Sequence, residues 1–257
     1  MLKKFAGLLK KEWVLYRTWL FVGVFIGIML SMVVPYLIRR LSDGFTMENQ
    51  LSFAFSILVL IIGGFFSILQ FLASMRHDLK SKEIWLHSTS SIAQLVGVKI
   101  VFSLIGYAIF NFIFVSLAIY KIRDEIVGNF AQVLLLLLFI VAIIVILQLM
   151  MFVIMVLFLA FNLQMKHLVG RFSIVITMVT FFFSMDLWFK FTESKLYDNI
   201  FHHVEIPLTW LDQYFPKIQT TELLLGSFYV VEEVASIIWL AILFIIATKW
   251  LEKVVLR

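Results

Sequence analysis

The 257-residue sequence has no cysteine, only 3 prolines, and few charged residues, which make up 14% of the chain. Without cysteine there can be no disulfide, no thiol nucleophile and no cysteine-based metal site. No proline- or glycine-rich linker divides the chain, and no phosphate-binding motif of the form G-x-x-x-x-G-K-S/T is present. The sequence therefore predicts one domain over residues 1–257, without a nucleotide-binding site of its own.

The sequence is instead rich in apolar residues. It is 63% hydrophobic, contains 28 Phe and has a mean hydropathy of +1.05. Soluble domains are closer to half apolar and a quarter charged. Several apolar runs reach the ~20 residues that cross a bilayer as a helix. The sequence predicts an all-α polytopic membrane protein. In such a protein the net charge of +5 reflects orientation and contact with lipid headgroups, so no nucleic-acid partner is expected.

The apolar runs predict six transmembrane helices, at about residues 19–38, 51–74, 95–120, 130–163, 172–191 and 227–251. The segments on the side of both termini carry 14 Lys and Arg, against 7 on the other side. By the positive-inside rule both termini are expected in the cytoplasm. Residues 192–226, the longest segment outside the predicted spans, are then expected outside the cell.

Polar and small residues within the spans predict helix packing. Gly23 and Gly27 form a small-xxx-small pair, which lets another helix approach closely. Gln148 interrupts the fourth apolar run, where a polar side chain usually bonds a neighbouring helix. That run would form a helix roughly 50 Å long, against ~30 Å of hydrocarbon, so we expect it to tilt or to project into the cytosol.

Residues 1–18 are predicted to form an amphipathic helix. Its apolar face includes Phe5, Leu9 and Trp13, and lysines occupy the opposite face. Such a helix lies flat on an anionic membrane surface. Glu12 lies at the edge of the apolar face, and two explanations are open: it pairs with a basic residue of another span, or its side chain reaches out to water.

The longest polar interruption in the first half of the sequence covers residues 76–94. Here Leu86-His87-Ser88-Thr89-Ser90-Ser91 is followed by an apolar stretch and then by Gly97-Val98-Lys99. The pattern resembles the cytoplasmic loop of type-2 ABC exporter permeases. In that family an apolar pair leads into a Ser/Thr-Pro turn, and a small residue plus Lys opens the next span. Thr89 stands where the family usually has proline, and Gly97 lies two residues before the lysine.

The beginning of the chain adds to this resemblance, because residues 9–13 (LKKEW) are similar to the elbow helix that precedes the first span of such permeases. The resemblance implies that the loop forms a short coupling helix docked on a separate ABC ATPase subunit. The residues it assigns to coupling are Lys82, Glu83, Ile84, Trp85, Leu86, His87, Ser88 and Thr89. ATP and Mg would be held by the ATPase, and this chain would need no cofactor.

The resemblance further implies a dimer of permeases, with a second copy or a sister permease, in a bacterial plasma membrane. The expected function is outward movement of a hydrophobic or amphipathic substrate such as a peptide, lipid or drug. An aromatic-rich path through the membrane suits such a ligand.

Three acidic residues, Asp186, Glu232 and Glu233, are predicted near the outer leaflet. Carboxylates there are costly unless they meet water, a partner or a proton. They are candidates for an outer vestibule or gate; the alternative is that they are simply hydrated at the interface. His202 and His203 with Glu205 do not predict a metal site, because adjacent side chains on a helix point about 100° apart.

Two other classes of protein compete with the permease. Intramembrane proteases of the CAAX-processing type carry a Glu-Glu pair with an Arg one turn later and histidines within spans. Here residues 234–239 contain no Arg, and all five histidines are predicted in loops, so no catalytic residue is expected. The other competitor is an immunity or assembly factor with no transport path.

Overall fold

The computed structural model describes residues 2–41, 48–80, 91–218 and 226–255, and almost all of these are helical. The helices are α1 (Leu2–Ile28), α2 (Val34–Leu41), α3 (Glu48–Lys80), α4 (Ile92–Lys121), α5 (Phe130–Val169), α6 (Ser173–Thr192), α7 (Lys195–Phe201) and α8 (Val230–Val255). The strands are β1 (Ile126–Val127), β2 (Glu205–Pro207), β3 (Lys217–Ile218) and β4 (Ser227–Tyr229). They form two antiparallel pairs, β1 with β3 and β2 with β4.

Within the described residues, 5 continuous helical stretches are long and apolar enough to cross a membrane. They are Lys4–Leu41, Asn49–Lys80, Ile92–Lys121, Phe130–Thr192 and Val230–Val255. The prediction of a helical protein with several such helices is confirmed. The predicted count of six requires the stretch of 63 residues from Phe130 to be divided into α5 and α6.

A short turn, Gly170–Phe172, separates α5 from α6. Gly170 has φ +60°, a backbone conformation open to glycine because it has no Cβ. The basic residues Lys166, His167 and Arg171 in the sequence predict a loop over residues 162–171 between the fourth and fifth spans. This predicted loop is too long, because α5 continues to Val169. The additional turns carry Lys166 and His167. Lys166 and His167 thus belong to a helix longer than a membrane requires, and only Arg171 lies in the turn.

The amphipathic segment at residues 1–18 is not a separate element, because α1 runs without interruption from Leu2 to Ile28. No glycine or proline occurs between residues 8 and 22, so nothing in the local sequence ends the helix before the apolar run begins.

The irregularity in this first helical stretch lies further along the chain. Residues Met29–Val33 form a π-helical turn just before α2. Pro35 has no N–H to donate to the carbonyl of Ser31, four residues earlier. Ser52 of α3 supplies the missing donor, with its Oγ 2.6 Å from that carbonyl oxygen. Both serines and Pro35 are buried. The irregular turn therefore leaves no unpaired carbonyl at Ser31, as an apolar environment demands.

The chain divides into two compact units. Unit 1 contains residues 1–80, 94–149 and 211–223, and unit 2 contains residues 81–93, 150–210 and 224–257. The two-stranded pair β1–β3 belongs to unit 1, and β2–β4 belongs to unit 2.

Close helix packing in unit 1 depends on glycine. A Cβ on Gly27 of α1 would collide with the ring of Phe114 of α4, and one on Gly23 would lie 3.2 Å from the ring of Phe66 of α3. Gly63 of α3 meets the ring of Phe110 in the same way as Gly27 meets Phe114. The prediction that Gly23 and Gly27 admit neighbouring helices is confirmed.

A buried polar contact also joins helices in unit 1. The side-chain nitrogen of Gln148 in α5 donates to Ser67 Oγ at 2.6 Å and to the Gly64 carbonyl at 3.3 Å, both in α3. Gln148 therefore bonds a neighbouring helix, as predicted from its place in the apolar run.

In unit 2, Trp250 of α8 packs edge-on against Phe161 of α5 and donates its ring N–H to Gln164.

Candidate functional site

Unit 1 contains a buried cluster of charged side chains. At its centre is Lys99 of α4, whose Nζ lies 2.7 Å from Glu12 Oε1 and 2.9 Å from Asp78 Oδ2. The same Nζ lies 2.5 Å from Ser74 Oγ and 3.3 Å from the Ser74 carbonyl oxygen. Lys99 is only 2% exposed, and Glu12 and Asp78 are each 3% exposed.

The second oxygen of each carboxylate also has a partner. Ser74 donates its hydroxyl to Glu12 Oε2 at 2.7 Å, and Lys11 donates to Asp78 Oδ1 at 3.2 Å. His77 Nδ1 lies 3.5 Å from the same Asp78 oxygen. Two carboxylates therefore face two lysines, so the cluster carries no net charge when His77 is neutral. Buried charges persist in proteins when they are paired and hydrogen-bonded in this way.

Helical spacing explains how these groups meet. Ser74 and Asp78 are four residues apart, so they lie on one face of α3 near its C-terminal end. Lys99 is on α4, eight residues into the helix, and Glu12 is on α1. The cluster thus joins α1 to the two helices that flank the predicted coupling loop.

The structure decides between the two explanations for Glu12: it pairs with a basic residue of another helix, and the explanation that it reaches water is wrong. The role of Asp78 was not predicted. In sequence it is one of several charges in a polar segment, and only the fold brings it to Lys99.

The apolar face predicted for residues 1–18 is partly used within the protein. Phe5 and Leu9 are half-buried, and Trp13 packs edge-on against Phe102 of α4 with 6.4 Å between ring centroids. Trp13 nevertheless remains 40% exposed, which leaves part of its ring for lipid or water.

The predicted coupling residues, Lys82 through Thr89, lie outside the described residues, and so does most of the short helix predicted there. The structure describes the two ends of this segment. α3 reaches Lys80, and α4 begins at Ile92.

The three acidic residues predicted at an outer vestibule have different surroundings in unit 2. Asp186 is exposed and pairs with Lys190 of its own helix at 2.7 Å. Glu232 is half-buried: its Oε1 accepts from the Tyr197 hydroxyl at 2.7 Å, and its Oε2 lies 3.6 Å from His202 Nε2. Glu233 is exposed. The alternative of simple hydration fits Asp186 and Glu233 better than Glu232.

Tyr197 is the most enclosed member of this second cluster, at 7% exposure. The rings of Phe191 and Phe201 lie on either side of it, with centroid distances of 5.4 Å and 4.6 Å. Burial, together with its hydrogen bond to the Glu232 carboxylate, raises the pKa of Tyr197 to about 12. The hydroxyl therefore remains a hydrogen-bond donor at any pH near neutrality.

Two of the five histidines, all of which were predicted in loops, lie in helices instead. His77 is in the last turn of α3, and His167 is in α5. These helices extend beyond the apolar runs that defined the predicted spans. His202 pairs with Asp198 rather than with His203, and Glu205 accepts a hydrogen bond from Ser227. Over residues 2–41, 48–80, 91–218 and 226–255, no group of three or more acidic or histidine side chains could hold a metal ion.

Comparisons with family models, with curated proteins and with solved structures find no match to this chain. The resemblance to type-2 ABC permeases therefore depends on the motifs in the sequence.

Proposed function

We propose that this chain is the membrane-spanning permease subunit of an ATP-driven exporter of the type-2 ABC class. The observation that carries the proposal is the buried cluster of Glu12, Asp78 and Lys99, which joins the N-terminal helix to both helices flanking the predicted coupling loop. A loop that receives force from another subunit needs such an attachment, because otherwise the force would only bend the loop.

The energetics of the cluster support this role. Removing one partner of a buried ion pair typically costs about 3–5 kcal/mol, because the other charge is left buried and unpaired. Asp78 lies two residues before the end of α3, and Lys99 lies in the third turn of α4. Movement of the loop would therefore carry α1 with it, because separating the helices costs more than moving them together.

In this proposal the rest of the machinery follows the family pattern. A separate ABC ATPase binds ATP and Mg, and a second copy of the chain or a sister permease completes the path. The protein lies in the plasma membrane with six spans and both termini in the cytoplasm, and the first turns of α1 replace a separate elbow helix at the cytoplasmic membrane surface. The substrate is hydrophobic or amphipathic and moves outward.

The test is association with an ABC ATPase through the coupling loop. The full chain, tagged at its C-terminus and expressed in its native membrane, is expected to co-purify with a stoichiometric ATPase that carries a phosphate-binding motif. Replacing Trp85 and Leu86 with Asp should release that ATPase, because a Trp at an interface centre can contribute about 2 kcal/mol or more and two carboxylates would be costly in an apolar contact.

A matched control places two Asp residues on the side predicted to lie outside. Val127 and Phe130 are 56% and 82% exposed, and their replacement should leave the ATPase bound. An inserted W85D/L86D variant that keeps its ATPase and normal substrate-stimulated hydrolysis would contradict the coupling role.

The enzyme hypothesis predicts a different experimental result from the permease proposal. The observation that favours it is the 3.6 Å contact between His202 Nε2 and Glu232 Oε2. A peptidase activity of the isolated chain, independent of nucleotide and lost in a Glu232→Gln/Glu233→Gln variant, would replace the permease proposal. An immunity or assembly factor would show neither ATPase association nor peptidase activity.

A further inference from the structure

His202 occupies an unusual position between two carboxylates in unit 2. Its Nδ1 lies 3.0 Å from Asp198 Oδ1 on α7, and its Nε2 lies 3.6 Å from Glu232 Oε2 on α8. Its ring stacks on Tyr229 of β4, with centroids 4.2 Å apart and the planes inclined by 19°. One side chain thus contacts two helices and a strand.

The number of protons on the imidazole decides whether each of these contacts is attractive. A neutral histidine carries one N–H and one bare nitrogen, whereas the charged form donates from both. With the single proton on Nδ1, the hydrogen bond to Asp198 persists, but a lone pair then faces the Glu232 carboxylate. The contact with Asp198 stays within α7 and the turn that follows it, so the contact that depends on protonation is the one that crosses to α8.

The backbone beside His202 is strained. Val204 has φ 58°, a left-handed conformation that is unfavourable for a β-branched residue because its Cβ crowds the backbone. Its carbonyl accepts a hydrogen bond from the Val230 N–H at 3.3 Å, and the β2–β4 pair follows directly. Strain of this kind persists when surrounding contacts hold it in place, and it is concentrated at functional and switching sites.

Other ionisable side chains surround His202 besides Asp198 and Glu232. Tyr197, on α7, packs edge-on against the imidazole and donates to Glu232. With its pKa raised to about 12, this hydroxyl keeps its proton through the range in which histidine titrates. Tyr229 presents its ring face, and Glu233 on α8 is exposed. His202 is therefore the group through which a change in proton number alters the attraction between α7 and α8.

We propose that His202 is a proton-operated latch on the side predicted to face outward. When the imidazole is charged, it attaches α7 and the strained turn at Val204 to Glu232 at the start of α8. When it is neutral, this contact is lost, and the Tyr197–Glu232 hydrogen bond alone connects the two helices at this carboxylate. The inference concerns the local structure of unit 2 and does not depend on transport or on an ATPase.

The test is hydrogen exchange of the full chain in lipid nanodiscs, corrected for the intrinsic effect of pH. The readout is the protection of peptides covering residues 203–210 and 226–232, which include the Val230 amide and both strands of the β2–β4 pair. From pH ~5.5 to pH ~8, protection in the wild type should fall about two- to fivefold, the range expected for a partly exposed ion pair.

Adjacent His203 provides a matched control, because it is exposed and the same substitution can be made there. His203→Gln should behave as the wild type does. His202→Gln should give the lower protection at both pH values, and Glu232→Gln should do the same because it removes the charge while retaining an oxygen acceptor for Tyr197. Protection that does not depend on pH in the wild type, or a dependence that survives in His202→Gln, would overturn the latch.

Discussion

The Nζ atom of Lys99 lies 2.7 Å from Oε1 of Glu12, although 87 residues separate them in sequence. The two side chains are only 3% and 4% exposed, so little water screens the pair. Asp78 completes the arrangement from a third helix, 2.9 Å from the same Nζ. A lysine shared by two carboxylates from different helices fixes the positions of all three.

Removal of the shared lysine should therefore be severe. We expect Lys99→Met to lower the free energy of unfolding by about 3–5 kcal/mol, because Glu12 and Asp78 would remain buried without their main partner. The measurement is denaturant-induced unfolding of the purified protein in mild detergent. Lys10→Met is the control, because Lys10 is an exposed lysine on α1.

Neutralising the partners should rescue the first variant. In a Lys99→Met/Glu12→Gln/Asp78→Asn protein no carboxylate is left unpaired, so most of the lost stability should return. Lys11 would lose Asp78 as a charged partner, but its side chain is 37% exposed and can be hydrated. Equal stability of the Lys99→Met and Lys10→Met proteins would show that the pairing is unimportant.

Replacing glycine with alanine should lower the stability where the glycine touches an aromatic ring, and should leave it unchanged or raise it where the space is open. Gly27→Ala and Gly63→Ala place a methyl group against the rings of Phe114 and Phe110, and such overpacking typically costs about 1–3 kcal/mol. A methyl group on Gly97 would have no neighbour within 4 Å among the residues that the structure describes, so Gly97→Ala should be neutral or stabilising by up to about 1 kcal/mol. Thermal unfolding of the three variants in one detergent compares them directly. A destabilised Gly97→Ala beside an unchanged Gly27→Ala would contradict the packing.

The predicted membrane orientation can be tested by labelling, because the native chain has no cysteine to remove. Single cysteines at Asp124 and His203 should react with a membrane-impermeant maleimide on intact cells. Cysteines at Lys10 and His167 should react only after the membrane is opened. External labelling at His167 would reverse the orientation and place the predicted coupling loop out of reach of an ATPase.

Tyr197 should make stability depend on alkaline pH. Its pKa in the folded protein is about 12, above the ordinary value near 10, so folding favours the neutral phenol. The resulting stabilisation is complete below pH ~10 and is lost as pH rises toward 12. Tyr197→Phe lacks the hydroxyl and should be less stable than the wild type by about 1 kcal/mol at neutral pH.

The difference between the two proteins should shrink over that alkaline range. Tyrosinate absorbance gives an independent check, since the difference between the wild-type and Tyr197→Phe spectra should titrate near pH 12 and not near the ordinary tyrosine value of about 10. A difference spectrum with a midpoint near 10 would show that the Tyr197 hydroxyl is not protected.

The sequence predicted the helices well because long apolar runs leave few alternatives to a helix in a membrane. It also predicted that Gln148 bonds another helix, and it offered an ion pair as one explanation for Glu12. These predictions were correct because a polar side chain within an apolar run is stable only when it is hydrogen-bonded or ion-paired.

Other features could not be found in this way. The role of Asp78 depends on the relative rotation of α3 and α4, which no local pattern specifies. The end of α5 was predicted too early in the chain, because the charged residues at 162–171 are compatible with either a loop or a longer helix. The contact of His202 with Glu232 lies beside the left-handed turn at Val204, and valine is not a residue that signals such a turn.

The π-helical turn at Met29–Val33 has a consequence for comparing this chain with others. Such a turn accommodates one additional residue relative to a regular helix, so positions after Val33 are rotated by about 100° from where an uninterrupted helix would place them. An alignment that treats residues 2–41 as one regular helix would assign the lipid-facing side of Val34–Leu41 to the wrong residues. Placing a one-residue gap in this turn should restore the correct side.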